Sequence, residues 1–257
     1  GDWSSDVCSS DLEQNTDMAN VADTAVVTGS SSGIGLALSR MLVKNGYEVF
    51  GFGRNFERAE AQEFCKEQPE KFHAVVCDIT DTQALCAHIK EIDKNYRVMV
   101  LVNNAGVGYY GLHEELNPKK IQKMVRTNLE APMILTQQLL RTLKKNRGTV
   151  LNISSVTAAQ SNPHGCAYGA TKAGLSGFAK SLFDEVRKYG VRVITIQPDM
   201  AKTDLYHNAD FCEGEEEASY LLPEEVAEAA AFALAQREGL VVTEITVKPQ
   251  FHRIRRK

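Results

Sequence analysis

Thr28-Gly29-Ser30-Ser31-Ser32-Gly33-Ile34-Gly35 follows a short β-branched run, Ala25–Thr28, and opens a stretch of helical period, Gly33–Asn45. A strand that ends in a glycine-rich turn and passes straight into a helix is suited to bind a nucleotide. The glycines let the backbone approach a pyrophosphate, and the helix N-terminus favours its negative charge. A glycine motif alone is weak; the strand before it and the helix after it are what make this one informative. Three residues separate the first two glycines, so the spacing is not the common G-x-G-x-x-G.

Outward from this turn, apolar β-branched runs alternate with longer stretches of helical period, the pattern of parallel strands joined by crossover helices. Strands are expected near Ala25–Thr28, Glu48–Gly53, Phe72–Cys77, Val98–Val102, Thr149–Ser154, Val191–Gln197 and Val241–Val247. Helices are expected near Gly33–Asn45, Phe56–Glu67, Thr82–Asn95, Pro118–Lys145, Ala167–Lys188 and Pro223–Gln236. Gly46 and Gly190 fall where helices should stop, and Pro118 and Pro223 suit first-turn positions. The fold class is therefore α/β: a Rossmann-type doubly wound parallel sheet of about seven strands with helices on both faces.

One Rossmann-type domain is expected over residues 21–250. Residues 1–20 form an extension without periodicity, whose Ser4–Leu12 looks like a translated sequencing adapter, with a native start near Met18. Residues 251–257 are a basic tail, Arg253, Arg255, Arg256 and Lys257, expected to be a solvated terminus, with an anion or partner contact as the other reading. The acidic stretch Asp210–Glu217 lies beyond the sixth strand, where it is either a substrate lid or a solvated loop.

Composition narrows the classes. A formal net charge of −4 offers no broad basic face for nucleic acid. The six cysteines make no C-x-x-C pair and have no histidine spacing for zinc, so no metal is expected and the thiols suit a cytoplasmic location. No segment reaches the roughly 18 apolar residues of a membrane span.

Two features carry chemistry. Tyr168 and Lys172 project from one helix face about one turn apart. Bringing a phenol of pKa about 10 near neutrality takes about 4 kcal/mol. One ammonium at about 4 Å supplies that at an effective dielectric of about 20. At the end of the second strand, Gly51-Phe52-Gly53-Arg54 lacks the carboxylate that would hold the ribose hydroxyls of NAD. The guanidinium of Arg54 favours the 2′-phosphate of NADP, with NAD less suited; the other reading is a solvated surface charge. Further along, Pro132 removes the amide that would bond the carbonyl of Asn128, which predicts a kink and a free carbonyl.

Taken together, T-G-x-x-x-G-x-G over residues 28–35, Asn103-Asn104-Ala105-Gly106, Asn128, Ser155 and Tyr168-x-x-x-Lys172 stand in the order and spacing of a known family. From about residue 21 to 249 the chain resembles the short-chain dehydrogenase/reductase family. The ending Glu244-Ile245-Thr246-Val247-Lys248-Pro249 is similar to its serine and 3-hydroxy-acid dehydrogenase branch.

The resemblance implies a reversible hydride transfer between a nicotinamide and a small alcohol or carbonyl compound, with a hydroxy acid as one candidate. Tyr168 would be the acid/base, Ser155 would orient the oxygen, and Asn128 would hold a water that links Lys172 to solvent. Gly29, Ser31, Ser32, Gly33, Ile34 and Gly35 would bind the cofactor, with Arg54, Asp78, Ile79, Asn104, Ala105, Gly106, Tyr168, Lys172, Pro198 and Thr203. Asp78 would hold the adenine amino group and Thr203 the nicotinamide carboxamide. Asn103 would tie strands together, and Ser154 is assigned a structural role. Asp199 stands where the family has glycine, and altered loop geometry is expected there. Tyr109, Tyr110, His164, Cys166, Tyr206 and Phe211 would surround the opening. A homodimer or homotetramer is implied.

Two other classes remain: a catalytically silent NADPH-binding sensor or scaffold, and a sugar-nucleotide epimerase. The full Asn128, Ser155, Tyr168 and Lys172 set argues against the first, and the short C-terminal region against the second.

Overall fold

Near-continuous runs of Val, Ile, Leu and Phe cannot leave one face wet, and they fold as parallel strands covered on both sides. In the computed structural model, residues 22–257 are described. The expected extension over 1–20, with Cys8 and the start near Met18, lies outside them. The strands are β1 (Asp23–Thr28), β2 (Glu48–Gly53), β3 (Phe72–Val76), β4 (Arg97–Asn103), β5 (Thr149–Ile153), β6 (Arg192–Pro198), β7 (Phe211–Glu213), β8 (Glu244–Val247) and β9 (Ile254–Arg256). Seven of them form one sheet in the order β3-β2-β1-β4-β5-β6-β8, every pair parallel.

The helices are α1 (Gly33–Lys44), α2 (Ala59–Glu67), α3 (Thr82–Asn95), α4 (Pro118–Val125), α5 (Ala131–Asn146), α6 (Cys166–Val186) and α7 (Pro223–Leu234). Leu36, Leu38 and Leu42 of α1 join Val226 and Ala230 of α7 in one core with one face of the sheet. Leu85 and Ile89 of α3, Leu135 and Leu139 of α5, and Leu182 of α6 fill a second core. The fold class is as the sequence predicts. The order reverses at β1 and β4, which opens a crevice beyond their carboxyl ends.

Three local readings change. Phe56–Arg58 stay outside α2, because the Phe56 ring packs on Phe72 at 6.1 Å instead of entering the helix. The single helix expected over Pro118–Lys145 contains a π-turn at Arg126–Glu130. That wider turn absorbs the missing amide of Pro132 where a simple kink was expected.

The basic tail is corrected most. Instead of a solvated terminus, it forms β9, which pairs antiparallel with β7 inside the acidic stretch. Arg253 and Arg255 make ion pairs with Glu216 and Glu215, and Lys257 Nζ donates to the carbonyls of Tyr206 and His207 at 2.7 and 3.3 Å. Exposed ion pairs are individually weak. The backbone ladder adds to them, and the acidic stretch is thereby held in place by the end of the chain.

Candidate active site

Beyond the carboxyl ends of the central strands lies a cleft of about 730 Å³. Its walls contain Gly29, Ser31, Ser32, Gly33, Ile34 and Gly35, then Arg54, Asp78 and Ile79, then Asn104, Ala105 and Gly106, and finally Ser155, Tyr168, Lys172, Pro198 and Thr203. The structure thus brings every expected cofactor residue to one cavity. Asn128 sits behind the wall, fully buried.

The glycine turn is built by close approach. Gly29 and Gly33 have φ of 69° and 51°, which side chains disfavour. A Cβ on Gly35 would lie 2.1 Å from the carbonyl oxygen of Gly29. Asn104 stitches the turn to β4: its Nδ2 donates to the Thr28 carbonyl at 2.8 Å, and its backbone N–H donates to Thr28 Oγ1 at 3.0 Å. Gly35→Ala therefore forces backbone apart. The expected cost is several kcal/mol, lowering Tm by about 10 °C; a thermal melt within about 2 °C of wild type would contradict this packing argument.

The adenine end suits a phosphorylated ribose. A side chain at Gly53 would meet Ser31 Cβ at 3.0 Å and the Phe56 ring at 3.1 Å, so a carboxylate has little room there. Arg54 is exposed beside it. Burial acts to raise the Asp78 carboxyl, but hydrogen bonds from Thr80 and the nearby Arg54 and Lys123 cations outweigh it and hold it below the usual range. Arg58, which sequence reasoning did not single out, also lines the cleft and pairs with Asp204 from the loop after β6.

At the other end, Tyr168 and Lys172 are each 4% exposed on α6. Lys172 Nζ donates to the Ile153 carbonyl at 2.8 Å and lies 5.8 Å from the Tyr168 ring centroid. The expectation that this ammonium makes the phenol acidic does not hold for the free protein. Burial pushes Tyr168 up to about 12, only partly offset by its hydrogen bond with Ser155. Burial likewise brings Lys172 down from 10.5 to about 8.

The Lys172 shift has a measurable consequence. Its cost to the folded state is fully present below about pH 8 and is relieved as pH rises toward 10.5, where the unfolded lysine also loses its proton. Between these limits wild type should gain about 3 kcal/mol relative to Lys172→Met. The slope is the robust quantity, because the lost Ile153 hydrogen bond shifts the whole difference by a constant. Urea unfolding at several pH values measures it, and a pH-independent difference would contradict it.

Ser155 is fixed by a neighbour the sequence did not flag. Its Oγ accepts from Thr157 N at 3.2 Å and from Thr157 Oγ1 at 3.0 Å, which leaves its own proton to be donated. Ser154 donates to the Lys172 carbonyl at 3.1 Å and lies 2.8 Å from Ser176 Oγ, the structural placement expected of it. Asn128 Oδ1 accepts from Val107 N at 2.8 Å, and its Nδ2 donates to the Val107 carbonyl and to Thr171 Oγ1. Asn103 donates to Asn152 Oδ1 at 2.9 Å and so ties β4 to β5.

The mouth is partly as expected. Tyr109 and Tyr206 line the cleft, Tyr109 beneath the Lys120 ammonium; Tyr110 packs on Tyr168 and, with Tyr206 and Phe211, forms an aromatic cluster whose Tyr110 and Phe211 lie outside the cleft wall. His164 is exposed with φ of 62°, and its carbonyl accepts from Gly111 N at 2.8 Å, so its role is in the turn. Cys166 is exposed at the start of α6, outside the cleft wall. Asp199 does not take a positive φ; its carboxylate accepts from Met200 N at 2.9 Å and lies 3.6 Å from His252 Nδ1. Among the described residues there is no cluster of three or more metal-ligating side chains, and no helix is long and apolar enough to cross a membrane.

The chain is similar to known proteins in sequence and fold. The chain is 38% identical over 186 residues to a serine 3-dehydrogenase of Agrobacterium fabrum, covering 72% of this chain and 74% of the relative. It is 34% identical over 233 residues to a 3-oxoacyl-acyl-carrier-protein reductase of Rickettsia conorii, covering 87% and 93%. An alcohol dehydrogenase from Thermococcus sibiricus, solved with 5-hydroxy-NADP, superimposes with TM-score 0.81 at 27% identity, over 90% of this chain and 98% of that one. With the short chain dehydrogenase model matching residues 23–211, the chain belongs to that family and is an oxidoreductase acting on CH–OH groups.

Proposed function

We propose that this protein is an NADP(H)-dependent enzyme that interconverts a small alcohol and its carbonyl compound, with Tyr168 exchanging a proton with the reacting oxygen. The observation that carries the reading is convergence: Ser155, Tyr168 and Lys172 face the same cleft as the glycine turn. The bound nicotinamide would accept or supply the hydride. Backbone N–H groups of the Gly29–Gly35 turn would hold the pyrophosphate. Arg54 would pair with the 2′-phosphate, and Gly53 leaves little room for the carboxylate that would select NAD. Solved relatives bound to NADP and NADPH are consistent with this, while one from Brucella melitensis was solved with NADH.

Chemically, the chain's own groups divide the work. Ser155 donates a hydrogen bond to the oxygen as charge develops on it. Tyr168 supplies or removes the proton, and Lys172, held by the Ile153 carbonyl, would bind the cofactor ribose. Thr203, whose methyl crowds Gly33, would fix the carboxamide. Asn128 braces the Val107 backbone behind the site through its side chain. The hydroxy-acid reading rests on the serine 3-dehydrogenase relatives and on the similarity of the ending Glu244–Pro249 to that branch. A homodimer or homotetramer in the cytoplasm completes the proposal. Exposed Met133 and Phe232 are candidate contact positions, and the five cysteines of the described residues are free.

The test is oxidation of NADPH, followed by its absorbance, against aldehydes, ketones and keto acids. Carbonyl-dependent turnover is expected. Tight NADPH binding with no turnover on any carbonyl compound would instead support the silent sensor.

A further inference from the structure

We infer that Thr157 is a positioning residue for the reaction: its hydroxyl and its backbone N–H together fill the acceptor sites of Ser155 Oγ, so that the Ser155 proton can only be given toward the reacting oxygen. The inference rests on the carbonyl-reductase reading above and adds to it a residue that lies outside the cleft wall.

The backbone that carries Ser155 is held from two sides. Ser154 N donates to the Ile196 carbonyl at 2.8 Å, Ser154 Oγ donates to the Lys172 carbonyl at 3.1 Å, and Lys172 Nζ donates to the Ile153 carbonyl at 2.8 Å. Residues 153–155 are thereby tied to β6 and α6, and what is left to decide is where the Ser155 hydroxyl points.

A serine hydroxyl has one proton to give and two acceptor sites. Thr157 N donates to Ser155 Oγ at 3.2 Å and Thr157 Oγ1 donates to it at 3.0 Å, so both acceptor sites are taken. The first bond is the ordinary cap of the short turn Val156–Ala158. The second is an addition that a side chain without a hydroxyl at 157 would lack. Thr157 itself is half-buried in a separate depression that also contains Asn162 and Gly169, whereas Ser155 is 7% exposed and lines the cleft with Tyr168. The remaining Ser155 proton is directed to that side, and its hydrogen bond to the Tyr168 oxygen favours the ionised phenol.

Without the Thr157 hydroxyl, one acceptor site of a nearly buried oxygen falls empty, and a buried acceptor left unpaired is costly. The Tyr168 O–H is the donor at hand to fill it. In that reversed arrangement Tyr168 donates to Ser155, which turns away the proton that carbonyl reduction needs and removes the donor that would meet the charge developing on the oxygen. Thr157 excludes the reversal. Ser155 and Thr157 keep their own protons throughout, and the proton transferred is that of Tyr168.

Thr157→Val keeps the shape of the side chain and removes the hydroxyl. With the carbonyl compound that wild type reduces fastest, kcat for NADPH oxidation should fall by about tenfold while KM stays within about twofold. Thr157→Ser, which restores the hydroxyl, should stay within about twofold of wild type in both. NADPH affinity, read by fluorescence titration, should be unchanged in each variant. The decisive comparison is made in Ser155→Ala, itself slower by about a hundredfold. If Thr157 works through Ser155 Oγ, adding Thr157→Val to Ser155→Ala costs less than about a further twofold. A further tenfold loss in that background, a Thr157→Ser variant as slow as Thr157→Val, or a Thr157→Val variant as fast as wild type would each overturn the inference and leave the reductase reading standing. Should a thermal melt show that Thr157→Val does not fold, Thr157→Ala carries the same expectations. If wild type oxidises NADPH with no carbonyl compound of any class, the reductase reading itself fails, and the inference with it.

Discussion

Tyr168→Phe is expected to lower NADPH-dependent carbonyl reduction by about a thousandfold while leaving NADPH affinity within about threefold of wild type. The substitution keeps the ring that packs 5.7 Å from Tyr110 and removes only the hydroxyl that bonds with Ser155, so the cleft retains its shape. The loss should fall on kcat, because the deleted interaction develops in the transition state. Steady-state kinetics with a fluorescence titration of NADPH separates the two quantities, and a variant that keeps turnover would reject Tyr168 as the proton donor.

The same residue gives a directional pH expectation. With its pKa pushed up to about 12, the phenol of the free protein is protonated throughout the neutral range. That is the form needed to protonate a carbonyl oxygen, so reduction should be nearly flat between about pH 6 and 9. Alcohol oxidation needs the phenolate, and its kcat/KM, which reports the free enzyme, should climb with pH across that window. Oxidation that is flat while reduction rises would reverse the assignment.

Arg54→Ala is expected to weaken NADPH by about ten- to a hundredfold and NADH by less than about twofold. Arg54 is exposed in the cleft wall and, among the described residues, forms no ion pair closer than 4 Å, so its guanidinium is available to a phosphate. Arg58 is nearby but occupied by Asp204, and Arg58→Ala should have the smaller effect on the NADPH-to-NADH ratio. Calorimetric titration of both cofactors into both variants makes the comparison. Equal losses for NADPH and NADH in Arg54→Ala would mean that the arginine does not read the phosphate.

Some of the site was legible because its information is local. The glycine turn spans residues 28–35, and its function depends on backbone conformation that only those side chains permit. Tyr168 and Lys172 share a helix face by periodicity alone. Gly53 and Arg54 sit at a strand end whose position follows from the alternation of elements. Thr157 was missed although it is two residues from Ser155, because a short 3-10 turn carries no periodic signal. Arg58 gave no signal either: its partner Asp204 is 146 residues away.

From the amino-acid order alone came the doubly wound sheet, the cleft at its carboxyl edge and the identity of the residues lining it, since hydrophobic period, glycine spacing and helix faces are properties of neighbours along the chain. Burial belonged to the folded molecule: it reversed the expected direction for the Tyr168 phenol, because removing the group from water outweighs the Ser155 hydrogen bond that favours its ionised form. So did the joining of the basic end to the acidic stretch, where two segments about forty residues apart become a ladder only after the loop between them closes.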